Sequence, residues 1–419
     1  MDYKKRLYNL KKNFHINGFS YIFFLIKKNL FRLDLYLIYP FVFLLFILII
    51  LIRPIIYVRF APLFTAKIGP LSSLPEMNLC EKEHSIQPSN TFDIYGVQKP
   101  YFICNSQLFK MWGRVLRIWR KSIYFYNVLN LIPGGKKHII KPSNGSRDIH
   151  GLLQKSKINL QFTDQEISHG EKNLSKMGLN NKKFILMINR SQRYLKEVYD
   201  FEVNFDYHSY RNNPIHMFIP AAEMITKKGY SVVRAGHLVE DVIESDNKNI
   251  IDYYNRGFRT DFLDVYLASK CEYIFGSDTG YFALPGWNFR KPILYVNFSQ
   301  LEVIEPWMDK WLMIFKKYWL IKEKRFLKIS EILKSGFGRF NRSEEFKKVG
   351  IELINNTEEE IVDVNQEMLQ RIHKNWEENE ENLYLQKKFW SYFKDSKLHG
   401  NFSGKIGSKF LKNNQNLIN

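Results

Sequence analysis

An α/β fold built on a parallel sheet is what this sequence predicts, and three observations predict it. Between Phe184 and Asn297 short apolar runs (Phe184–Ile188, Tyr230–Val233, Glu272–Phe275, Pro292–Asn297) alternate with the helical runs Pro214–Lys228 and Thr260–Ser269. Such alternation gives parallel strands joined by right-handed helical crossovers. The helices are punctuated as helices should be, with Gly229 stopping the first and Thr260 capping the second. Finally, the strands run out into polar residues: Arg190, then Arg234 to His237, then Gly276-Ser-Asp-Thr-Gly280. In parallel sheets the positions just beyond the strands face the ligand crevice. A rim of this chemistry suits an anion, and a nucleotide diphosphate is the anion expected.

The chain has 419 residues, enough for two cored domains and additional segments. Its formal charge is +20, which favours polyanionic partners: nucleic acid, anionic lipid or a phosphorylated substrate. Much of the surplus falls in the first 32 residues and after Trp311. No RNA- or DNA-binding fingerprint is present, so nucleic acid is not expected as a partner. Three cysteines without metal-ligand or redox spacing fit a reducing compartment.

In chain order, residues 1–54 read as a basic segment and a membrane-anchor helix. Lys4-Lys-Arg6, Lys11-Lys12, Lys27-Lys28 and Arg32 precede an uncharged apolar run from Leu35 to Ile52. That length approaches the roughly 20 residues that cross a bilayer. Pro40 and Arg53-Pro54 fit an interfacial helix equally well. Residues 55–165 read as a first Rossmann-like domain, with strands at Ile55–Phe60, Phe92–Tyr95 and Tyr101–Cys104, helices at Leu71–Leu79 and Leu108–Trp119, and a loop from Asn130 to Ser146. Residues 166–345 form the second domain, opened by a capping box from Thr163 to Glu166. Residues 346–398 add an edge strand, Ile351–Ile354, and a helix capped by Thr357 and Glu360. The polar tail, residues 399–419, reads as disordered.

The densest polar cluster is Asp206-Tyr-His-Ser-Tyr-Arg-Asn-Asn213. His208 titrates near neutrality and can serve as a base, with Asp206 the alternative. Arg211 has the fork geometry for phosphate oxygens. Asn212 and Asn213 either bind substrate or cap the helix that follows. Arg190 and Arg234 bind phosphate or pair with a carboxylate, and His237 shares that ambiguity; for Arg256 and Arg259 a salt bridge, to Asp261 or Asp264, is the simpler role. Gly276, Ser277, Asp278, Thr279 and Gly280 form a loop whose amides and hydroxyls suit an anion or a sugar hydroxyl. Asp200-Phe-Glu202 is a single acidic pair, so no metal site is expected, and P-loop and Gly-x-Ser-x-Gly motifs are absent.

The blocks His208-Ser-Tyr-Arg-Asn212, Tyr230-Ser-Val-Val-Arg-Ala-Gly236, Arg259-Thr-Asp-Phe-Leu-Asp264, Phe275-Gly-Ser-Asp-Thr-Gly280 and Lys291-Pro-Ile-Leu-Tyr-Val-Asn297 resemble a family of bacterial glycosyltransferases associated with surface-polysaccharide synthesis. Lys67-Ile-Gly69 and Glu76-Met-Asn-Leu-Cys80 resemble that family's N-terminal half. More distantly, the strand-end arginine and the Gly-Ser-Asp-Thr-Gly loop are similar to fucosyltransferases of the same fold. The resemblance implies a GT-B architecture of two facing Rossmann-like domains, with the donor on the C-terminal one. It implies a nucleotide-sugar co-substrate, no further cofactor and no obligatory metal. Paired glutamates that hold the donor ribose in many such enzymes have no counterpart here, so the nucleotide is left open.

The expectation is therefore a glycosyltransferase moving a sugar from a nucleotide-sugar donor to a cell-surface polysaccharide or lipid-linked glycan. Membrane lipid is the further partner, at the cytoplasmic face of the bacterial inner membrane. Two alternatives fit the same residues: a non-catalytic membrane-associated glycan- or nucleotide-binding protein, and a nucleotide-sugar epimerase.

Overall fold

The computed structural model describes residues 40–98, 102–190, 193, 205–239, 241–400 and 402–418. The basic clusters from Lys4 to Arg32, the start of the apolar run before Pro40, and Asp200 to Glu202 lie outside the described residues. The chain divides into two compact units: residues 1–63, 90–99 and 116–141 form the smaller, and residues 64–89, 100–115 and 142–419 the larger.

The described part of the smaller unit comprises helix α1 (residues 40–52), strands β1 (Val58–Leu63), β2 (Phe92–Val97) and β3 (Arg117–Ile118), and a helix, Ile123–Leu129. The strands are parallel in the order β1-β2-β3. Val42 and Phe46 of α1 pack with Val58, Phe60, Phe125 and Leu129. Arg59 and Asp93, side by side on β1 and β2, form a buried ion pair at 2.9 Å. Of the expected anchor, residues 40–52 are helical; among the described residues no helix is long and apolar enough to cross a membrane.

Two helices between these strands in sequence, α2 (Ile68–Glu83) and α3 (Ser106–Val115), belong to the larger unit. The expected boundary near residue 165 is thus replaced by an interleaved division. The helix Ile123–Leu129 is accordingly α4. The strand expected at Tyr101–Cys104 is not formed by residues 102–104: Cys104 N–H and Thr65 Oγ1 bond to single backbone partners, Thr65 and Phe102, without a ladder.

The larger unit is organised on a seven-stranded, wholly parallel sheet. Its strands are β4 (Phe184–Ile188), β5 (Ser231–Arg234), β6 (Ile250–Asp252), β7 (Ile274–Gly276), β8 (Ile293–Phe298), β9 (Trp311–Phe315) and β13 (Lys405–Ile406). They lie in the order β13-β9-β8-β7-β4-β5-β6. Every residue of β4 and β8 is buried, which is why both read as unbroken apolar runs in the sequence. Chain order reverses between β4 and β7, the switch point of a doubly wound sheet.

Around the sheet lie α5 (Asp164–Lys176), α6 (Ile219–Lys227), α7 (Asp261–Lys270), α8 (Ile329–Lys334), α9 (Ser343–Lys348), α10 (Glu358–Ile372) and α11 (Glu380–Ser391). The capping boxes at Thr163/Glu166 and Thr357/Glu360 are both formed, and Thr260 caps α7. A small antiparallel sheet, β11 (Arg325–Phe326), β10 (Lys317–Leu320) and β12 (Ile351–Ile354), has β12 at its edge, as the sequence suggests.

The tail departs from expectation. β13 pairs with β9, helix α12 (Ser408–Asn413) follows, and Ile406, Phe410, Leu411, Leu417 and Ile418 are buried. These apolar side chains, sparse among lysines and asparagines, suffice because a finished sheet edge awaits them. Glu367 of α10 accepts from the Ser408 amide at 2.7 Å and from its hydroxyl at 3.1 Å, fixing the start of α12.

Candidate functional site

At the switch point a cavity of about 510 Å³ opens, lined wholly by the larger unit. The ends of β4 and β7 deliver Asn189 and Arg190 on one side and Asp278, Thr279 and Gly280 on the other. The approach of these two strand ends is enforced by Gly276. Its φ is +150°, and a Cβ there would lie 1.8 Å from the Ile188 carbonyl oxygen. The next residue, Ser277, ties the strands together: its amide donates to Ile188 O, and its hydroxyl accepts from the Arg190 amide at 2.8 Å.

The third wall is the N-terminus of α2, where Lys67, Ile68 and Gly69 line the cavity. No side chain caps this helix, and Ile68 and Gly69 carry its first amides, since Pro70 has none and the Leu71 amide donates to Lys67 O. The helix is held by buried polar contacts. Glu76 meets Arg290 at 2.7 Å, Asn288 donates to Ser72 O at 3.1 Å, and Trp112 donates to Leu71 O at 2.8 Å. Burial pushes the Glu76 carboxyl up, with Arg290 opposing. Gly69 and Gly280 touch backbone to backbone; a Cβ on Gly69 would stand 3.1 Å from Gly280 Cα. Side chains at either position would drive the two walls apart.

Arg190, His208, Arg211 and Lys67 share this cavity. Burial, and then the Arg211 charge, bring Arg190 down to about 10. Burial, followed by Arg190, Arg211 and Lys67, brings His208 down to about 4. Arg190 and His208 thus both feel the cations beside them, and Asp264, Asp278 and Glu305 are the acids of the same cavity. Asp278 meets Arg211 at 2.8 Å. Among the described residues Arg190 Nε, Arg211 Nε and His208 Nδ1 are buried without a hydrogen-bond partner. An unpaired buried donor costs about 1–3 kcal/mol, so the two guanidinium Nε–H groups in one pocket call for an acceptor, while His208, whose ring donates to the Asn341 backbone, keeps Nδ1 as an acceptor.

The structure brings together Arg190, His208, Arg211, His237, Asp278, Thr279 and Gly280 of the expected site. Asp206, Asn212, Arg234, Gly276 and Ser277 do not line the cavity. Arg234 is fully buried; its guanidinium meets Asp252 at 3.1 Å and Asn189 Oδ1 at 3.1 Å, bracing β5 against β6 and β4. The phosphate expected for Arg234 is replaced by that carboxylate. Gly276 and Ser277 shape the loop from beneath. Asp206 is exposed on the 3₁₀ segment Phe205–Arg211, which Ser343 secures by donating to the Asp206 and Tyr207 carbonyls. Arg259 pairs with Asp261 and Asp264, each at 2.7 Å, as the sequence suggests.

Sequence reasoning misses Lys67, Gly69, Asp264, Tyr295 and Glu305, all of which line the cavity. Glu305 is the most consequential. Its Oε2 accepts from the Tyr295 hydroxyl at 2.8 Å. Burial raises its carboxyl to about 7, against the pull of Arg147. Arg147 fixes the preceding turn, donating to the carbonyls of Val303 and Ile304 at 2.9 Å each. Nothing in the sequence separates Glu305 from neighbouring Glu302. Among the described residues no group of three or more His, Cys, Asp or Glu is placed to hold a metal ion.

No protein-family model and no curated protein sequence matches this chain. Solved structures similar to it include two glycosyl- or heptosyltransferase chains. One is a glycosyl transferase family 9 protein from Veillonella parvula DSM 2008: 11% identity, TM-score 0.43, covering 75% of this chain and 98% of that one. The other is the E. coli ADP-heptose lps heptosyltransferase II: 11% identity, TM-score 0.34, covering 61% of this chain and 90% of that one.

Proposed function

We propose that the switch-point cavity binds the diphosphate of a nucleotide sugar, and that the protein is a glycosyltransferase acting on a surface polysaccharide or lipid-linked glycan at the cytoplasmic face of the membrane. The observation that carries this reading is the convergence of Arg190, Arg211, Lys67 and the uncapped start of α2 on one cavity. A diphosphate would take the unpaired guanidinium donors and the helix amides together. Arg211, held by Asp278, is pre-aimed for it.

The chemistry follows from that seat. The acceptor oxygen bonds to the anomeric carbon as the bond from that carbon to the phosphate oxygen breaks. The electron pair leaves with the nucleoside diphosphate, whose growing charge Arg190, Arg211 and Lys67 stabilise. The acceptor's proton needs a base. His208, expected for that role, is held near 4 by burial and then by the surrounding cations, which makes it a weak base at neutral pH. Asp206 lies outside the cavity. Glu305 faces the same cavity with a carboxyl tuned to about 7, close to the optimum for a general base at neutral pH. No step in this scheme requires a metal ion.

The test is calorimetric titration with UDP, GDP, ADP, CMP and dTDP, followed by assay of the corresponding nucleotide sugars for donor hydrolysis or transfer. One nucleoside diphosphate binding to the protein and losing affinity in Arg211→Ala supports the proposal. Binding without turnover would favour the non-catalytic alternative, and a product with the nucleotide still attached to an altered sugar would favour epimerisation.

A further inference from the structure

Helix α1 is apolar on every face: residues 40–52 contain no charged or hydrogen-bonding side chain. Its inner face, Val42, Leu45, Phe46 and Ile49, recurs at helical spacing and packs into the core of the smaller unit. The outer face is different. Phe41, Leu44, Leu48 and Leu51 follow the same spacing and are 63%, 63%, 54% and 68% exposed, and Ile55 beyond the helix is 81% exposed. A contiguous apolar stripe of this kind marks a contact surface.

The surroundings of the stripe identify its partner. Arg53 closes the helix, with its guanidinium 4.8 Å from the centre of the Tyr57 ring. The Tyr57 hydroxyl donates to the Lys137 carbonyl, so the exposed Lys136-Lys137 turn lies beside the end of α1. The same loop carries Leu131, 71% exposed, next to Ile132, which packs on the α1 cluster. Among the described residues of this unit Asp93 is the single carboxylate, and it is buried against Arg59. Apolar side chains bordered by an aromatic and by cations, with no exposed acid among the described residues of this unit, match the acyl-to-headgroup boundary of an anionic bilayer.

We infer that the outer face of α1, with Leu131, Arg53, Lys136 and Lys137, is a membrane seat on which the smaller unit rests, α1 lying in the plane of an anionic leaflet. The inner face is committed to protein, so the helix immerses one side only. This inference concerns the smaller unit and does not depend on the reading of the cavity.

The test uses the full chain and flotation with vesicles of phosphatidylethanolamine and phosphatidylglycerol. The unaltered protein is expected to float. Leu44→Glu with Leu51→Glu should weaken binding at least about tenfold, because a charge at that depth is costly; circular dichroism should be unchanged, since both side chains are exposed. Lys136→Glu with Lys137→Glu should weaken binding to anionic vesicles and leave binding to pure phosphatidylcholine unaltered. If the Leu44/Leu51 variant floats as well as the parent, residues 1–39 suffice for attachment and the inference is overturned. A parent chain that stays unbound, or that buries the stripe in a concentration-dependent dimer by sedimentation, overturns it equally.

Discussion

Glu305→Gln gives opposite signs in stability and in activity, and both follow from where the carboxyl sits. Burial raises the folded-state pKa to about 7 from an ordinary 4.5. A raised folded pKa means the stabilising contribution is complete below the unfolded value and is lost as pH rises through 7. At about 1.4 kcal/mol per pKa unit, the ionised folded protein above pH 8 bears a penalty of about 3 kcal/mol. Water entering the cavity that Glu305 lines makes that an upper figure. Glutamine keeps the shape, can still accept from Tyr295, and never ionises. The variant should therefore melt with the parent near pH 4 and on the order of 5 °C above it at pH 8.5, measured by calorimetry at both pH values. As the proposed base, the same residue should cost roughly 10²–10⁴-fold in turnover when neutralised. A gain in stability with loss of function is the pattern of a site held in an unfavourable state for its chemistry. An equal melting difference at both pH values, or a lower melting temperature at pH 8.5, would refute the reasoning, since the carboxylate would then be satisfied in its ionised form.

Further outcomes follow from the same geometry. Arg190→Ala and Arg211→Ala should each weaken nucleoside diphosphate binding by about 1.5–3 kcal/mol, the worth of a charge-assisted hydrogen bond, read by calorimetry. Arg234→Ala should instead lower stability by about 3–5 kcal/mol, because it strands buried Asp252; loss of nucleotide affinity in a fully folded Arg234→Ala protein would contradict its placement. Turnover of the parent should rise with pH through about 7 as Glu305 ionises, and a rise centred near 4 would point back to His208. Turnover should persist in excess EDTA, measured by nucleotide release, since side-chain cations carry the leaving group in the proposed scheme.

The sequence alone determines the local architecture of the larger unit. Strands β4, β5, β7 and β8 are visible because side chains buried on both faces must all be apolar. The caps at Thr163, Thr260 and Thr357 are visible because a helix start is satisfied by residues three positions away. Strand β6 is only three residues long, and β9 lies within an aromatic, basic stretch, so neither announces itself. What a strand-end side chain does is decided across the sheet. Arg190 and Arg234 look alike in sequence, but Arg234 stands directly beside Asp252 in the parallel register of β5 and β6, whereas the acid near Arg190 is Asp278, beyond the end of β7 and bound to Arg211. The carboxylate takes one arginine into the core, while the other is left to the cavity. In the same way the start of α2, Glu305 and the C-terminal strand reach their places through contacts made by residues distant in sequence, among them Arg290, Arg147 and Glu367. Periodicity and capping are short-range and can be read from the chain; the company a charged side chain keeps is set by the fold.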